Sequence, residues 1–203
     1  MTRRTLPFAA ACVALLAAVG CSHLPVERPS AQDAFFAQLQ ALCGQAFAGT
    51  VEVDRPAAPG NDAFAGKPLV MHVRDCGDDT VRIPFHVGDD RSRTCVVTRT
   101  PTGLRLKHDH RHEDGTPDAV TLYGGDTLHA GTAVRQEFPV DDASIAMFER
   151  EGLAASVTNT WAMELQPGGH LTYELARPGG RLFRVRFDLD GPVAPPPPPW
   201  GSD

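Results

Sequence analysis

Apolar and polar positions along this chain follow two successive rhythms, a helical one that ends near Gly44 and an alternating one that begins at Ala46. In the first, Phe35, Phe36, Leu39, Leu42 and Cys43 recur at three- and four-residue intervals, and Ser30 with Asp33 three positions on has the form of a capping box. The spacing predicts one amphipathic helix over 31–43. In the second, the period drops to two and turn residues return every ten positions or so, the cadence of an antiparallel meander. Strands are predicted over 47–53, 69–75, 80–87, 94–100, 103–111, 119–123, 132–138, 156–166, 170–177 and 181–189. Between them, Cys76-Gly77-Asp78-Asp79, Gly88-Asp89-Asp90, Pro101-Thr102-Gly103, Glu113-Asp114-Gly115, Pro167-Gly168-Gly169 and Pro178-Gly179-Gly180 carry the residues tight turns need.

The alternation also says which side is buried. Val81, Ile83, Phe85 and Val87 share one face, as do Phe183, Val185, Phe187 and Leu189, with Arg184, Arg186 and Asp188 opposite. About ten antiparallel strands without helical crossovers either close on themselves or split into two sheets, because a long open sheet exposes its edges. The expected fold is mainly β: an up-and-down meander closing as a barrel, with the N-terminal helix packed on or under it.

The flanks fit a different use. Met1-Thr2-Arg3-Arg4, the apolar run from Leu6 to Val19, and Ala18-Val19-Gly20-Cys21 have the layout of a bacterial lipoprotein signal over 1–20, with Cys21 exposed for acylation. The run is too short for a membrane-spanning helix and carries Pro7. Thr5-Leu6-Pro7 does not complete a twin-arginine signal, which favours the general export route. Ser22 after the cysteine directs such proteins to the outer membrane by the sorting rule of enteric bacteria, so the expected address is the periplasmic face of the cell envelope. Residues 21–30 read as a proline-broken tether, 31–190 as the barrel domain, and 191–203 as a proline-rich disordered tail carrying Trp200, a candidate site for a protein partner that grips proline-rich segments.

Charge changes the picture little. The formal net charge is −6, and loss of Arg3 and Arg4 with the signal makes the body more acidic by two, which argues against nucleic acid as a partner. In an oxidising compartment Cys43, Cys76 and Cys95 remain after Cys12 and Cys21 are accounted for, so one stays unpaired. Cys43 at the helix end and Cys76 beside a turn favour a Cys43–Cys76 bridge, with Cys95 as a buried thiol inside a strand; other pairings stay open.

The densest chemistry is Lys107-His108-Asp109-His110-Arg111-His112-Glu113-Asp114. On a strand, His108, His110 and His112 fall on the face of Leu104 and Leu106, while Arg105, Lys107, Asp109 and Arg111 face water. Two readings follow. The imidazoles line a ligand pocket at the barrel mouth, joined by Tyr123 and His170 and by Thr158, Thr160 or Trp161, although Trp161 alternates with Val157, Met163 and Leu165 as core. Alternatively they chelate Zn or Cu with help from His72, His86, His129, His170, Glu113, Asp114 or Asp118. No Gly-x-Ser-x-Gly elbow, phosphate-cradling glycine loop, Cys-x-x-Cys or His-Glu-x-x-His occurs, and no catalytic residue is assigned.

The stretch Asp90 to Gly125, with Arg91-Ser92-Arg93-Thr94, Gly103 through Gly115 and Tyr123-Gly124-Gly125, resembles a family of uncharacterised bacterial envelope lipoproteins, over residues 34–189. That resemblance implies no activity, and it implies an aromatic residue in relatives where this chain has Cys95. The expected architecture is similar to calycin barrels such as lipocalins and fatty-acid-binding proteins, although Ala48-Gly49-Thr50-Val51 stands where lipocalins have Gly-x-Trp. Three functions are thus expected in order: a non-enzymatic binder of a small or lipid-like molecule, a metal-binding envelope protein, and a packed structural or interaction module.

Overall fold

The computed structural model describes residue 1 and residues 29–56, 63–166 and 168–202. The signal segment, Cys21 and most of the 21–30 tether lie outside the described residues. Within them the chain is mainly β. It runs α1 (Ala31–Gln40), β1 (Ala46–Arg55), β2 (Leu69–His72), β3 (Asp75–Cys76), β4 (Thr80–Val87), β5 (Asp90–Thr100), β6 (Gly103–His110), β7 (Tyr123–Asp126) and β8 (Arg135–Pro139). There follow α2 (Asp142–Arg150), a 3-10 turn (Ala154–Ser156), β9 (Thr160–Gln166), β10 (His170–Ala176) and β11 (Leu182–Val193). No described helix is long and apolar enough to cross a membrane.

Ten strands form one antiparallel path in the order β7-β6-β5-β4-β2-β1-β11-β10-β9-β8, with β3 paired to β4 at its side. The up-and-down meander is therefore present, and the two path ends nearly meet to close the barrel. The seam is glycine-dependent. A Cβ on Gly124, whose φ is 149°, would lie 1.9 Å from the Leu106 carbonyl oxygen, and one on Gly125 would lie 1.7 Å from that of Pro139. With no side chains there, the Asp141 amide donates to the Gly124 carbonyl at 2.9 Å and the Gly124 amide donates to the Ser144 hydroxyl at 2.9 Å.

Of the residues predicted to face inward, Val81, Ile83, Phe85, Val87, Leu104, Leu106, Met163, Leu165, Phe183, Val185 and Phe187 are buried and Leu189 is partly so, and Leu69, Met71, Val97 and Leu171 join them. At one end α1 presses Phe35, Phe36 and Leu39 onto them, each with no exposed surface. Ser30 caps this helix by accepting from the Asp33 amide at 3.0 Å, as the sequence predicts. The Cys43–Cys76 disulfide fastens the end of the helix to β3, and Cys95 is free and buried.

Three elements differ from the sequence reading. A second helix, α2, follows β8, capped by Asp141, which accepts from the Ser144 amide at 2.9 Å. It buries only Ser144, Met147 and Phe148, too short an apolar stripe to register as helical periodicity. The strand expected at 119–123 forms instead at Tyr123–Asp126, because the seam demands glycines that carry no alternation. The expected disordered tail is docked. Pro192 and Val193 pair with Phe47 and Ala46, the Trp200 amide donates to the Arg91 carbonyl at 3.1 Å, Arg91 donates to the Pro198 carbonyl at 3.1 Å, and Arg74 donates to the Ser202 hydroxyl at 2.5 Å. A proline brings no N–H to a ladder, but its carbonyl still accepts, as that of Pro198 does from Arg91.

Candidate functional site: an aromatic cavity at the open end

The strands that start under α1 carry their inward residues toward the opposite end, where the lining changes from aliphatic to aromatic and polar. On β6 the inward series is Leu104, Leu106, His108 and His110; on β10 it is Leu171, Tyr173, Leu175 and then Arg177; on β5 it is Val97, Cys95 and Arg93. The later members of each series, His108, His110, Tyr173, Leu175, Arg177, Cys95 and Arg93, with Phe85, Tyr123, Trp161 and Phe183 from neighbouring strands, line a cavity of about 340 Å³. Its rim is completed by Phe148 of α2, Ser156 of the 3-10 turn, Asn159, Asp118, and Phe64 of the β1–β2 connection. Immediately beneath, among Met71, Ile83, Met163, Leu171 and Phe187, only about 10 Å³ is open. The barrel is a packed body with a shallow cup at one end.

His108 is the floor of the cup. Its ring stacks on Tyr123 with centroids 4.7 Å apart and 18° between planes, and it contacts Trp161 at 5.1 Å. Nδ1 lies 3.2 Å from the Tyr123 carbonyl and Nε2 lies 2.8 Å from the Tyr173 hydroxyl. A carbonyl only accepts, so Nδ1 carries the proton and Nε2 accepts from Tyr173. Burial, with the His110 ring nearby, drives the His108 pKa down to about 3, so the ring is neutral. Burial likewise lowers His110 to about 4, with Arg93 adding to the effect, and the His110 Nε2 meets the Tyr123 hydroxyl at 3.1 Å. The Tyr123 and Tyr173 phenols are both pushed up by burial, and the Cys95 thiol is pushed up to about 12 for the same reason. Around neutral pH this floor is a network of neutral dipoles and offers neither a thiolate nor a charged imidazole.

Of the sequence candidates, His108, His110 and Tyr123 meet in the cup. His112 does not join them. β6 ends at His110, so the two-residue period stops there, and the His112 side chain is 57% exposed with Nε2 3.9 Å from Asp118. His170 lies in register with Thr172 and Glu174 on the outer face of β10, away from the cup. Thr158 is exposed. Both His108 nitrogens are engaged and His112 points elsewhere, so the three histidines do not converge on a metal. Among the described residues no group of three or more His, Cys, Asp or Glu is arranged to hold one. Trp161 is core and cavity wall at once.

Sequence reasoning passed over the arginines of the rim. Arg93 is in phase with Cys95 and Val97, and Arg177 with Leu175 and Tyr173, a signal that alternation carried but that charge obscured. Arg93 donates to Asp90 at 2.6 Å and sits over the Phe64 ring; Arg181 pairs with Asp54 and donates to the Pro56 carbonyl at 2.8 Å. Outside the barrel, Asp109 is buried rather than wet. Burial opposes its charge, but the Arg111 and Arg82 guanidiniums, at 2.9 and 2.8 Å, outweigh that and hold its pKa below the usual carboxylate range.

No family model, no curated protein and no solved structure matches this chain.

Proposed function

We propose that this protein is a periplasm-facing envelope lipoprotein, held by acylated Cys21, whose barrel binds a small organic molecule in the cup at its open end without chemically transforming it. The cup supports this reading: an aromatic-lined concavity of about 340 Å³ at the end of an otherwise packed barrel, with its polar groups confined to the floor and rim. The neutral histidines of the floor argue against acid–base work, because neither pKa lies near the operating range. The Cys43–Cys76 bridge accords with an oxidising compartment.

Native mass spectrometry of the protein freshly extracted from its own envelope tests this. A small-molecule adduct is expected, lost in Leu175→Trp, which fills the cup from its wall. A bare mass in both proteins, with no saturable binding of the neutral hydrophobic probe N-phenyl-1-naphthylamine, contradicts it. Incorporation of labelled fatty acid by the parent, and none by Cys21→Ala, is expected for the anchor.

A further inference from the structure

The rim of the cup holds three guanidiniums, and their partners differ. Arg93 is matched by Asp90 and Arg181 by Asp54, so each enters a local ion pair. Arg177 is matched by no carboxylate: its Nε donates to Asn159 Oδ1 at 2.5 Å, and its terminal amino groups have no acidic partner among the described residues. Asp118, the carboxylate of the lining, is turned to its own loop, where it accepts from the Val120 amide at 2.7 Å and lies 3.9 Å from His112. Arg177 is half-buried, and both its burial and the neighbouring Arg181 charge push its pKa below the ordinary arginine value. A partly desolvated guanidinium without a counter-charge is costly unless something brings one.

The rest of the cup limits what can bring it. Tyr123, Trp161, Tyr173, Phe85 and Phe183 present ring faces and edges, surfaces that pair best with another flat π system. The floor stops at His108 and Cys95, beneath which the interior is packed, so a long alkyl chain has no channel to run down. We infer that the cup takes a short, planar aromatic acid whose anionic group docks on Arg177 at the rim while its ring system stacks within the aromatic wall. This rests on the reading of the cup as a binding site and narrows it to one ligand class. A guanidinium–carboxylate pair gives two parallel charge-assisted hydrogen bonds and adds orientation, so the acid enters ring-first.

Isothermal titration of the Cys21→Ser protein with naphthalene-2-carboxylate, its neutral counterpart 2-naphthylmethanol, and dodecanoate decides the matter. The acid is expected to bind on the order of tenfold or more tighter than the alcohol, the yield of a charged hydrogen-bonded contact. In Arg177→Gln that ratio is expected to fall to about one, with Arg177→Lys restoring part of it. Equal binding of acid and alcohol by the parent, or a ratio unchanged in Arg177→Gln, overturns the anion assignment and leaves the cup as a binding site. Dodecanoate binding as tightly as the aromatic acid overturns the short, planar class. Binding of none of the three removes the cup reading itself, and with it this inference.

Discussion

His108 has every proton assigned by a partner: one nitrogen faces a carbonyl, the other receives a phenol hydrogen, and the ring stacks on Tyr123. Its pKa is about 3 in the folded protein against 6.5 for a free histidine, so between those values the unfolded chain binds the extra proton. Stability from this group is therefore complete above about pH 6.5 and is lost as the pH falls toward 3, with a slope of up to about 1.4 kcal/mol per pH unit. Urea unfolding of the parent and of His108→Gln between pH 7 and 5 checks this. The variant is expected to lose about one proton's worth of slope, and parallel profiles would show that the ring is not held neutral. At this scale the sequence was half informative. Period-two logic placed His108 and His110 inside together, but it continued to His112, where the strand has already ended, and it assigned Asp109 to water, where two arginines and burial hold it. Those errors share a cause: alternation reports the face of a strand, not where the strand stops or what covers its outer side.

Elements were legible where hydrophobic rhythm alone set them. α1, β4 and β6 fall close to their predicted bounds because caps, turns and alternation agree there. α2 was missed and β7 displaced from its expected position because other demands set their sequences. The Gly124-Gly125 pair exists to let the seam close, and α2 has only one buried turn. The C-terminal segment is the sharpest case, since its composition reads as a free polyproline end while its position fixes it to Arg74 and Arg91. Ending the chain after Val193 removes those hydrogen bonds and the burial of Pro199. At about 1 kcal/mol for each hydrogen bond the expected loss is roughly 2–3 kcal/mol, or about 5–10 °C in Tm. Thermal denaturation followed by circular dichroism measures it, and an unchanged Tm would mean that the segment contributes nothing to the fold. The bridge between α1 and β3 closes a loop with a sequence separation of 33, worth about 3–4 kcal/mol in the chain-entropy account.

Across the whole molecule the two ends of the barrel are unlike. α1, its three buried apolar residues and the disulfide seal one end, while α2, the 3-10 turn and the arginine rim frame a cup at the other. The barrel could be anticipated from the chain, because ten alternating segments without crossovers leave few ways to hide their edges. Which end stays open could not, since that depends on where α1 docks and on how far the interior side chains fill the barrel. The same asymmetry makes the central claim local: a ligand should be felt at one end of the molecule alone. Amide chemical-shift mapping of the labelled protein with naphthalene-2-carboxylate tests this most directly. Saturable shifts are predicted at His108 to His110, Tyr123, Trp161 and Tyr173 to Arg177, with α1 undisturbed; shifts centred on α1 or the outer face, or no saturable shift anywhere, would contradict it.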